Sequence, residues 1–388
     1  MNILFFCEYF PEHAGSDISG GVEARCYNLS RFLAKNNNVT IITSWRNGLK
    51  REEIFSGINI LRVGKDHRYS NEAGFFSRGM FAMAAIKEGL KHGDADIIEG
   101  YNFTTYFPAG SVAKKLKKPA IITYHETWIG EWVKNKGLLT GIPYEIYERA
   151  MLRLGYDKII SVSEFTKKKL FEKGADKKNI SVIPNGINRE EFSFDCKKEK
   201  LPVICFIGRL VQTKKADVLI NAISILKKDF PGIKCKIIGQ GKEKQKLERL
   251  ANSLGLKDNV EFLGFVKDSK EVKKILKSST IFCLPSVAEG FGIVILEAMA
   301  SGTPYVCSDI EVLREITENG KGGLIFRKND SNDLAKKMAT LLSDRKNYGN
   351  KVKEGKELVK KYLWKNLSLV VENLYKEAID EYKIKNSR

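Results

Sequence analysis

Short apolar runs alternate along the chain with longer segments whose apolar residues recur at helical spacing, the pattern of strands followed by amphipathic helices. The first run, NILFFCEYF at 2–10, ends in the loop PEHAGSDISGG at 11–21. A helix follows with Val22, Cys26, Leu29 and Leu33 on one face. It stops at Asn36-Asn37-Asn38, and VTIIT at 39–43 reads as the next strand. Further strands are expected in DIIEG (96–100), AIITYH (120–125), KIISVS (158–163) and SVIPNG (181–186), with helices over Arg78–His92 and Tyr144–Leu154 among the segments between them. Such alternation predicts a mostly parallel, doubly wound sheet.

The pattern restarts after the charged break FDCKKEKLP at 194–202. Strands are expected in PVICFIGRL (202–210), CKIIGQG (235–241), VEFLGFV (260–266) and TIFCLPS (280–286), with helices over Ala216–Lys228, Glu243–Leu254 and Glu271–Lys277. A glycine-rich turn and another helix follow, and Lys365–Lys385 reads as a long final helix. The expected fold class is α/β: two Rossmann-like doubly wound domains facing a central cleft. Their bounds are 1–194 and 202–364, with a linker at 195–201 and a helix at 365–388 packing back across the N-terminal domain. A length of 388 residues suits two such domains.

Composition narrows the class. With 43% hydrophobic and 29% charged residues the chain is globular. It has no apolar run long enough to span a membrane, and its start lacks a basic n-region and breaks at Glu8, so it reads as a buried strand and not a signal peptide. The cysteines at 7, 26, 196, 205, 235, 283 and 307 are odd in number, scattered and free of any CxxC spacing. That excludes a zinc ribbon, argues against a disulfide framework and points to a reducing, cytoplasmic compartment. The net charge of +19 is uneven: residues 1–196 hold 28 Lys+Arg against 23 Asp+Glu, and residues 197–388 hold 38 against 24. No nucleic-acid-binding module accompanies the excess. A Lys-rich solvated surface accounts for most of it, and a basic second half suits a phosphorylated ligand.

The sharpest chemical constellation runs from Pro285 to Met299. Glu289 lies in a loop after a strand, Gly290 and Gly292 on either side of Phe291 allow close backbone approach, and a helix starting at Gly292-Ile293 offers free N–H groups to an anion. Glu297, about one turn into that helix, can accept from the vicinal hydroxyls of a ribose. A second candidate follows another strand end: Gly208, Arg209 and, five residues on, Lys214, whose two cations can converge on one diphosphate. In the first half Gly20-Gly21 opens a helix, and His125 follows AIITY at a strand end, where it can hydrogen-bond a substrate hydroxyl or carbonyl. The competing readings are a helix cap for Glu289, a solvent-facing Glu297, two surface cations, a flexible helix entry and a structural histidine. Asp94-Ala95-Asp96 spells a formal DxD, but at a helix-to-strand junction it reads as structural, so no metal site is assigned.

Together these motifs resemble the retaining, GT-B-fold glycosyltransferases of the large group 1 class (family 4, the glycogen-synthase-like lineage), over nearly the whole chain. Glu289 and Glu297 meet the Glu-x7-Glu pattern with Gly290-Phe291-Gly292 between them. Gly208, Arg209, Leu210 and Lys214 meet G-R-L-x-x-x-K, Pro184-Asn185-Gly186-Ile187 meet P-N-G-[VI], and Gly239-Gln240-Gly241 end the IIGxG strand. Asn188, Glu126 and Lys215 depart from the family's commoner residues without removing a charge from the diphosphate site. The resemblance implies a nucleotide-diphosphate sugar as co-substrate, no other cofactor, and transfer with retention and without metal. It implies an acceptor-binding N-terminal domain and a nucleotide-sugar-binding C-terminal domain. Arg209 and Lys214 would hold the diphosphate, Glu297 the ribose, and Glu289 with the Gly290–Ile293 segment the donor sugar. Gly20, Gly21 and Gly208 would complete the donor site, and His125 would contact the sugar or the departing phosphate.

The acceptor is expected on the first domain, where Tyr101, Phe103, Tyr106, Phe107, Tyr124, Trp128, Trp132, Tyr144 and Tyr147 can line a sugar or lipid-linked acceptor pocket or simply fill the core. Trp128, Trp132 and Val133 beside Lys134 and Lys136 suggest a short interfacial segment in peripheral contact with the inner face of an anionic membrane. Three rival readings are a nucleotide-sugar epimerase on the same fold, a non-catalytic sugar-nucleotide-binding subunit, and a dinucleotide oxidoreductase. The last lacks its GxGxxG, and a binding subunit would be expected to have lost one of Arg209, Lys214, Glu289 or Glu297.

Overall fold

The computed structural model of the chain describes residues 1–13, 20–67 and 75–387. Contacts divide it into two compact units, Met1–Asn185 with Trp364–Arg388, and Gly186–Leu363. Most of the loop expected after the first strand, residues 14–19, lies outside the described residues.

The sheet of the first unit has eight strands: β1 Asn2–Phe6, β2 Asn38–Ser44, β3 Glu52–Phe55, β4 Ile58–Val63, β5 Ile97–Gly100, β6 Ala120–Tyr124, β7 Lys158–Ser161 and β8 Ile180–Val182. They lie in the order β3-β4-β2-β1-β5-β6-β7-β8. All neighbours are parallel except the hairpin pair β3 and β4. Alternation along β1 explains how both faces are covered. Ile3 and Phe5 pack with the helices Gly21–Leu33 and Trp364–Asn386, through Cys26, Leu29, Trp364, Val371 and Tyr375. Leu4 and Phe6 pack with the helices Phe75–Gly89 and Phe103–Leu116, through Phe81, Ala85, Tyr106 and Val112. A sheet buried on both faces must be apolar throughout, which is why its strands read as continuous runs.

The second unit repeats the scheme with β9 Val203–Ile207, β10 Lys234–Ile238, β11 Val260–Gly264, β12 Ile281–Leu284, β13 Tyr305–Ser308 and β14 Gly323–Phe326, all parallel, in the order β11-β10-β9-β12-β13-β14. In each sheet the order reverses about its first strand: β1 lies between β2 and β5, and β9 between β10 and β12. Loops diverge there beyond the strands' carboxyl ends, and ligands of such sheets bind in the opening.

The division corrects the boundaries expected from sequence. The 195–201 stretch is not a free linker. Glu199 N donates to Ser278 O at 3.0 Å, and Lys198 Nζ donates to Ser279 O at 2.6 Å and Thr303 Oγ1 at 2.8 Å. Desolvation of its ammonium group lowers the Lys198 pKa to about 8, although the residue as a whole is exposed. The chain changes unit instead between Asn185 and Gly186 and again at Leu363-Trp364. Trp364, assigned by sequence to the second domain, is buried in the first. The helices expected at 78–92 and 144–154 run over Phe75–Gly89 and Trp132–Leu152.

Both ends of the first unit's chain meet at Arg25, which has no exposed surface. Its Nη1 donates to Ile183 O at 3.0 Å, Pro184 O at 2.9 Å and Asn185 Oδ1 at 3.1 Å, and the guanidinium stands 5.8 Å from the Trp364 ring centroid. Removing it strands three buried acceptors. Arg25→Met is expected to cost the first unit about 3 kcal/mol or more, read as a lower urea midpoint; a loss below about 1 kcal/mol would contradict this anchoring role.

Candidate active site

In the second unit the candidate residues collect at the switch between β9 and β12. Gly208-Arg209-Leu210 leaves β9, and its path is set by the neighbouring strand end. Gly208 N donates to Ile238 O at 3.0 Å and Leu210 N to Gln240 O at 2.8 Å. The approach is so close that a Cβ at Gly239, whose φ is +140°, would lie 1.9 Å from Gly208 O. The glycine demand therefore falls on Gly239 more than on Gly208. A turn at Gln212–Lys214 follows, and Val287 N donates to Thr213 O at 2.9 Å, tying this loop to the one after β12.

That tie brings Lys214 Nζ to 2.5 Å from Glu289 Oε1, both largely buried. Two residues chosen from separate motifs thus form one ion pair. An ammonium has three donors, so Lys214 can hold Glu289 and still reach an anion. Arg209 is exposed, with no carboxylate partner among the described residues. Gly292 has φ +87° and ψ 47°, and a Cβ there would meet Leu313 Cδ2 at 2.8 Å. It turns the chain into the helix Ile293–Ser301, which has no side-chain cap, so its first N–H groups remain available to an anion. Phe291 is buried with its ring centroid 6.2 Å from that of Tyr362, so its ring packs the loop.

Glu297 is half-buried inside the same helix and has no hydrogen-bond or ion-pair partner among the described residues. Desolvation raises its pKa; the charge of Lys273 opposes this and that of Glu191 adds to it. Glu191 and Lys273 were not foreseen. Glu191 Oε2 pairs with Lys273 Nζ at 2.5 Å, and its Oε1 accepts from Asn188 Nδ2 at 3.3 Å. Asn188 also caps the turn Arg189–Phe192, a structural use for one of the positions that depart from the family pattern. The sequence signal was faint, since Glu191 and Lys273 are far apart and both lie in charged stretches.

In the first unit His125 follows β6. Its ring bonds the backbone of Tyr101, and burial followed by the charge of Arg25 lowers its pKa to about 3. The bond favours the protonated ring, so the carbonyl is the acceptor. Nε2 is buried without a hydrogen-bond partner, which leaves Nδ1 as the donor and an unshared pair on Nε2. Gly20 is extended and Gly21 starts the helix Gly21–Leu33, with nothing within 4 Å of a Cβ built at Gly21. No packing demand therefore explains a glycine at 21.

Beyond β1 lies a cluster that sequence reasoning missed. Glu8 is buried and accepts from Thr104 Oγ1 at 2.8 Å, Asn102 Nδ2 at 2.9 Å, His67 Nε2 at 3.0 Å and Arg78 Nε at 3.2 Å. Burial raises its pKa, but the His67 bond, the Arg78 charge and the Thr104 bond outweigh it, and the net shift is downward. Its position just past the first strand was the available signal, hidden by the apolar run around it. Asp94 and Asp96 lie at the opposite, amino-terminal end of the central strands β1 and β5. Asn2 N donates to Asp96 Oδ2 at 2.8 Å, and Asn2 Nδ2 to Asp94 O at 3.0 Å. Of the aromatic residues considered for an acceptor pocket, Tyr101, Tyr106, Tyr124, Trp132 and Tyr144 are core.

Comparison with known proteins places these units in a family. Sucrose-phosphate synthase from Thermosynechococcus elongatus superposes with a TM-score of 0.81 over 98% of this chain and 99% of that one, at 21% identity, a likeness of fold. HepE from Anabaena, solved in complex with UDP-glucose, gives 0.75 over 97% and 100%, at 17% identity. Residues 188–358 match the model for glycosyl transferases group 1, and residues 19–191 that for glycosyltransferase family 4. An uncharacterized glycosyltransferase of Methanocaldococcus jannaschii is 30% identical over 94% of this chain and 96% of its own length. The chain belongs to the group 1 glycosyltransferases, with the GT-B fold.

The histidine gives a pH dependence with a definite sign. The unfolded chain binds a proton on His125 near its usual pKa of about 6.5, and the folded chain only near 3. Stability therefore falls as pH drops through that window, by up to about 1.4 kcal/mol per unit. His125→Gln should flatten the fall between pH 6 and 4 in thermal midpoints; an unchanged slope would mean the ring is not held neutral.

Proposed function

We propose that the enzyme moves a sugar from a nucleoside-diphosphate sugar to a carbohydrate or lipid-linked acceptor, with retention of anomeric configuration and without a metal ion. The observation that carries the reading is the Lys214–Glu289 pair at the entrance to the helix Ile293–Ser301, next to the unpaired cation of Arg209. The UDP-glucose bound by HepE supports the donor class. As the anomeric C–O bond to phosphate breaks, negative charge grows on the leaving diphosphate. Arg209, Lys214 and the helix-end amides would meet it in a preorganised site. A bond then forms from the acceptor oxygen on the same face, and the acceptor proton passes to the leaving phosphate. With cations in this role a divalent ion is dispensable; Asp94 and Asp96 already bond Asn2.

Within this reading the two carboxylates divide the donor. Glu297, unpaired and half-buried, is suited to the ribose diol, and Glu289, beside the diphosphate cation, to hydroxyls of the transferred sugar. The lone pair on His125 Nε2 suits a substrate hydroxyl. The second unit takes the donor and the first the acceptor, with a peripheral membrane contact through the first where the acceptor is lipid-linked.

Assayed in excess EDTA, the wild type should keep its turnover, and Arg209→Ala or Lys214→Ala should lose at least about a hundredfold, since a cation aimed at transition-state charge is worth roughly 3 kcal/mol or more. Loss of wild-type activity to EDTA with rescue by Mg²⁺, or wild-type rates in either variant, would defeat the mechanism. Calorimetry separates the carboxylates. Glu297→Gln should weaken free nucleoside diphosphate by about ten- to a hundredfold. Glu289→Gln should leave that binding nearly unchanged while cutting turnover and blurring the choice of donor sugar. Equal losses, or the reverse order, would mean the donor runs the other way along this helix.

A further inference from the structure

The helix Trp132–Leu152 is not continuous. Gly137 has φ +75° and ψ 171°, which breaks it into a short arm and a long one. The two arms close tightly: a Cβ built at Gly141 would lie 2.6 Å from Val133 Cα and 2.8 Å from the Trp132 carbonyl carbon. The base of this corner is pinned. Trp132 Nε1 donates to the buried Glu148 Oε2 at 2.6 Å and Thr127 Oγ1 to Glu148 Oε1 at 2.9 Å. The Trp132 ring stacks on Tyr144 at 4.9 Å and lies 5.1 Å from Phe103. The aromatic residues at its base are thus spent on holding the corner in place.

What the corner presents at its tip is apolar. Leu138 is 67% exposed, Leu139 95%, and on the next turns Ile142 is 45% and Ile146 63% exposed. Exposing large aliphatic side chains on a rigid, doubly glycine-dependent turn is costly in water and calls for a surface to receive them. The flanking charges say which. Between Glu131 and Glu145 the segment WVKNKGLLTGIPY contains Lys134 and Lys136 and no acid, and both lysines are exposed beside the tip. Arg153 is exposed about two turns past Ile146, the end of the apolar stripe. Lys134, whose Nζ lies 4.0 Å from Glu131 Oε2, and Lys136 flank the tip on one side, and an aliphatic tip with a basic flank matches the boundary between acyl chains and anionic headgroups.

We propose that the Leu138-Leu139 corner, with Ile142, Ile146, Lys134 and Lys136, is a docking element by which the first unit seats on an anionic lipid bilayer. The lipid side of this inference rests on the reading of a lipid-linked acceptor; the docking itself requires no turnover. The element keeps Lys134 and Lys136 of the segment that sequence suggested but shifts its apolar contact: Trp128 and Trp132 support it from below, and Leu138 and Leu139, just past Lys136, make the contact.

The test is co-sedimentation of the full chain with vesicles. Wild type should bind vesicles of equal phosphatidylcholine and phosphatidylglycerol, bind phosphatidylcholine alone far more weakly, and lose affinity as salt rises past about 0.1 M. Leu138→Ser with Leu139→Ser should lower the partition coefficient at least about tenfold with no change in thermal midpoint. Should the double variant be unstable, Leu139→Ser alone, at a fully solvated position, should still lower it severalfold. Lys134→Gln and Lys136→Gln should each cut binding to the anionic vesicles about fivefold and spare the residual binding to phosphatidylcholine. The inference is overturned if wild type ignores the anionic vesicles or if the leucine variants bind them as wild type does. It is equally overturned if the wild type is a dimer that the leucine variants dissociate, for then the corner receives a second copy. Nucleoside-diphosphate binding measured on the same samples tests the donor reading separately.

Discussion

A fully buried guanidinium fixes the first unit. Arg25 reaches the end of the strand region at Ile183 and Pro184, the side chain of Asn185, and the ring of Trp364, where the chain returns. Burial lowers its pKa, and the charge of Glu99 works against that. Glu99 is itself buried and shifted upward, held by Thr123 Oγ1 at 2.5 Å and by the Tyr375 hydroxyl. A charge in that position is tolerable only while its partners stay put. The final helix, the Pro184-Asn185 turn and the helix opening at Gly21 are therefore set by one side chain. The same charge helps keep His125 neutral, so the anchoring of the fold and the protonation state of a candidate site residue share a cause.

The alternation of apolar runs and helical segments made the parallel architecture legible, because strands buried on both faces carry the whole signal in sequence. The boundary was not legible. FDCKKEKLP looks like a linker, yet Lys198 Nζ donates to Ser279 O and Thr303 Oγ1, and composition cannot tell a free lysine from one whose ammonium is bonded. The crossing at Asn185-Gly186 lay in a motif noticed for its family resemblance and not for its place in the fold. The hairpin of β3 and β4 went unread although Ser56-Gly57 turns it, both at positive φ, because its strands are short and half-polar.

The site divides in the same way. Arg209, Lys214, Glu289 and Glu297 were visible because strand ends and glycine turns mark them locally. Their mutual geometry was not visible, and the direct pairing of Lys214 with Glu289 changes how each is understood. The lysine is positioned by the carboxylate, and the carboxylate is oriented by the lysine. Contacts between distant segments stayed hidden for the reason that spacing in sequence carries no information about them: Glu191 with Lys273, and Glu8 with His67, Arg78, Asn102 and Thr104.

The two units solve their electrostatics in opposite ways, and this bears on what each can bind. The second unit pairs charges at its loop ends, leaves Arg209 open, and carries most of the chain's excess of lysine over acid. A ligand of high negative charge is favoured there, since a diphosphate adds the anion that an exposed arginine and a helix terminus lack. The first unit neutralises its own buried groups: Glu8 takes four donors, Glu148 takes Trp132 and Thr127, and His125 stays uncharged. What it offers a ligand is hydrogen bonding without net charge, which suits hydroxyl recognition. Charge on this unit stands instead on its periphery, in the lysines around the exposed leucines of the Gly137 corner. Hydroxyl-binding chemistry inside and a basic apolar rim outside are the two properties that the proposed transfer to a lipid-linked acceptor would require of this unit.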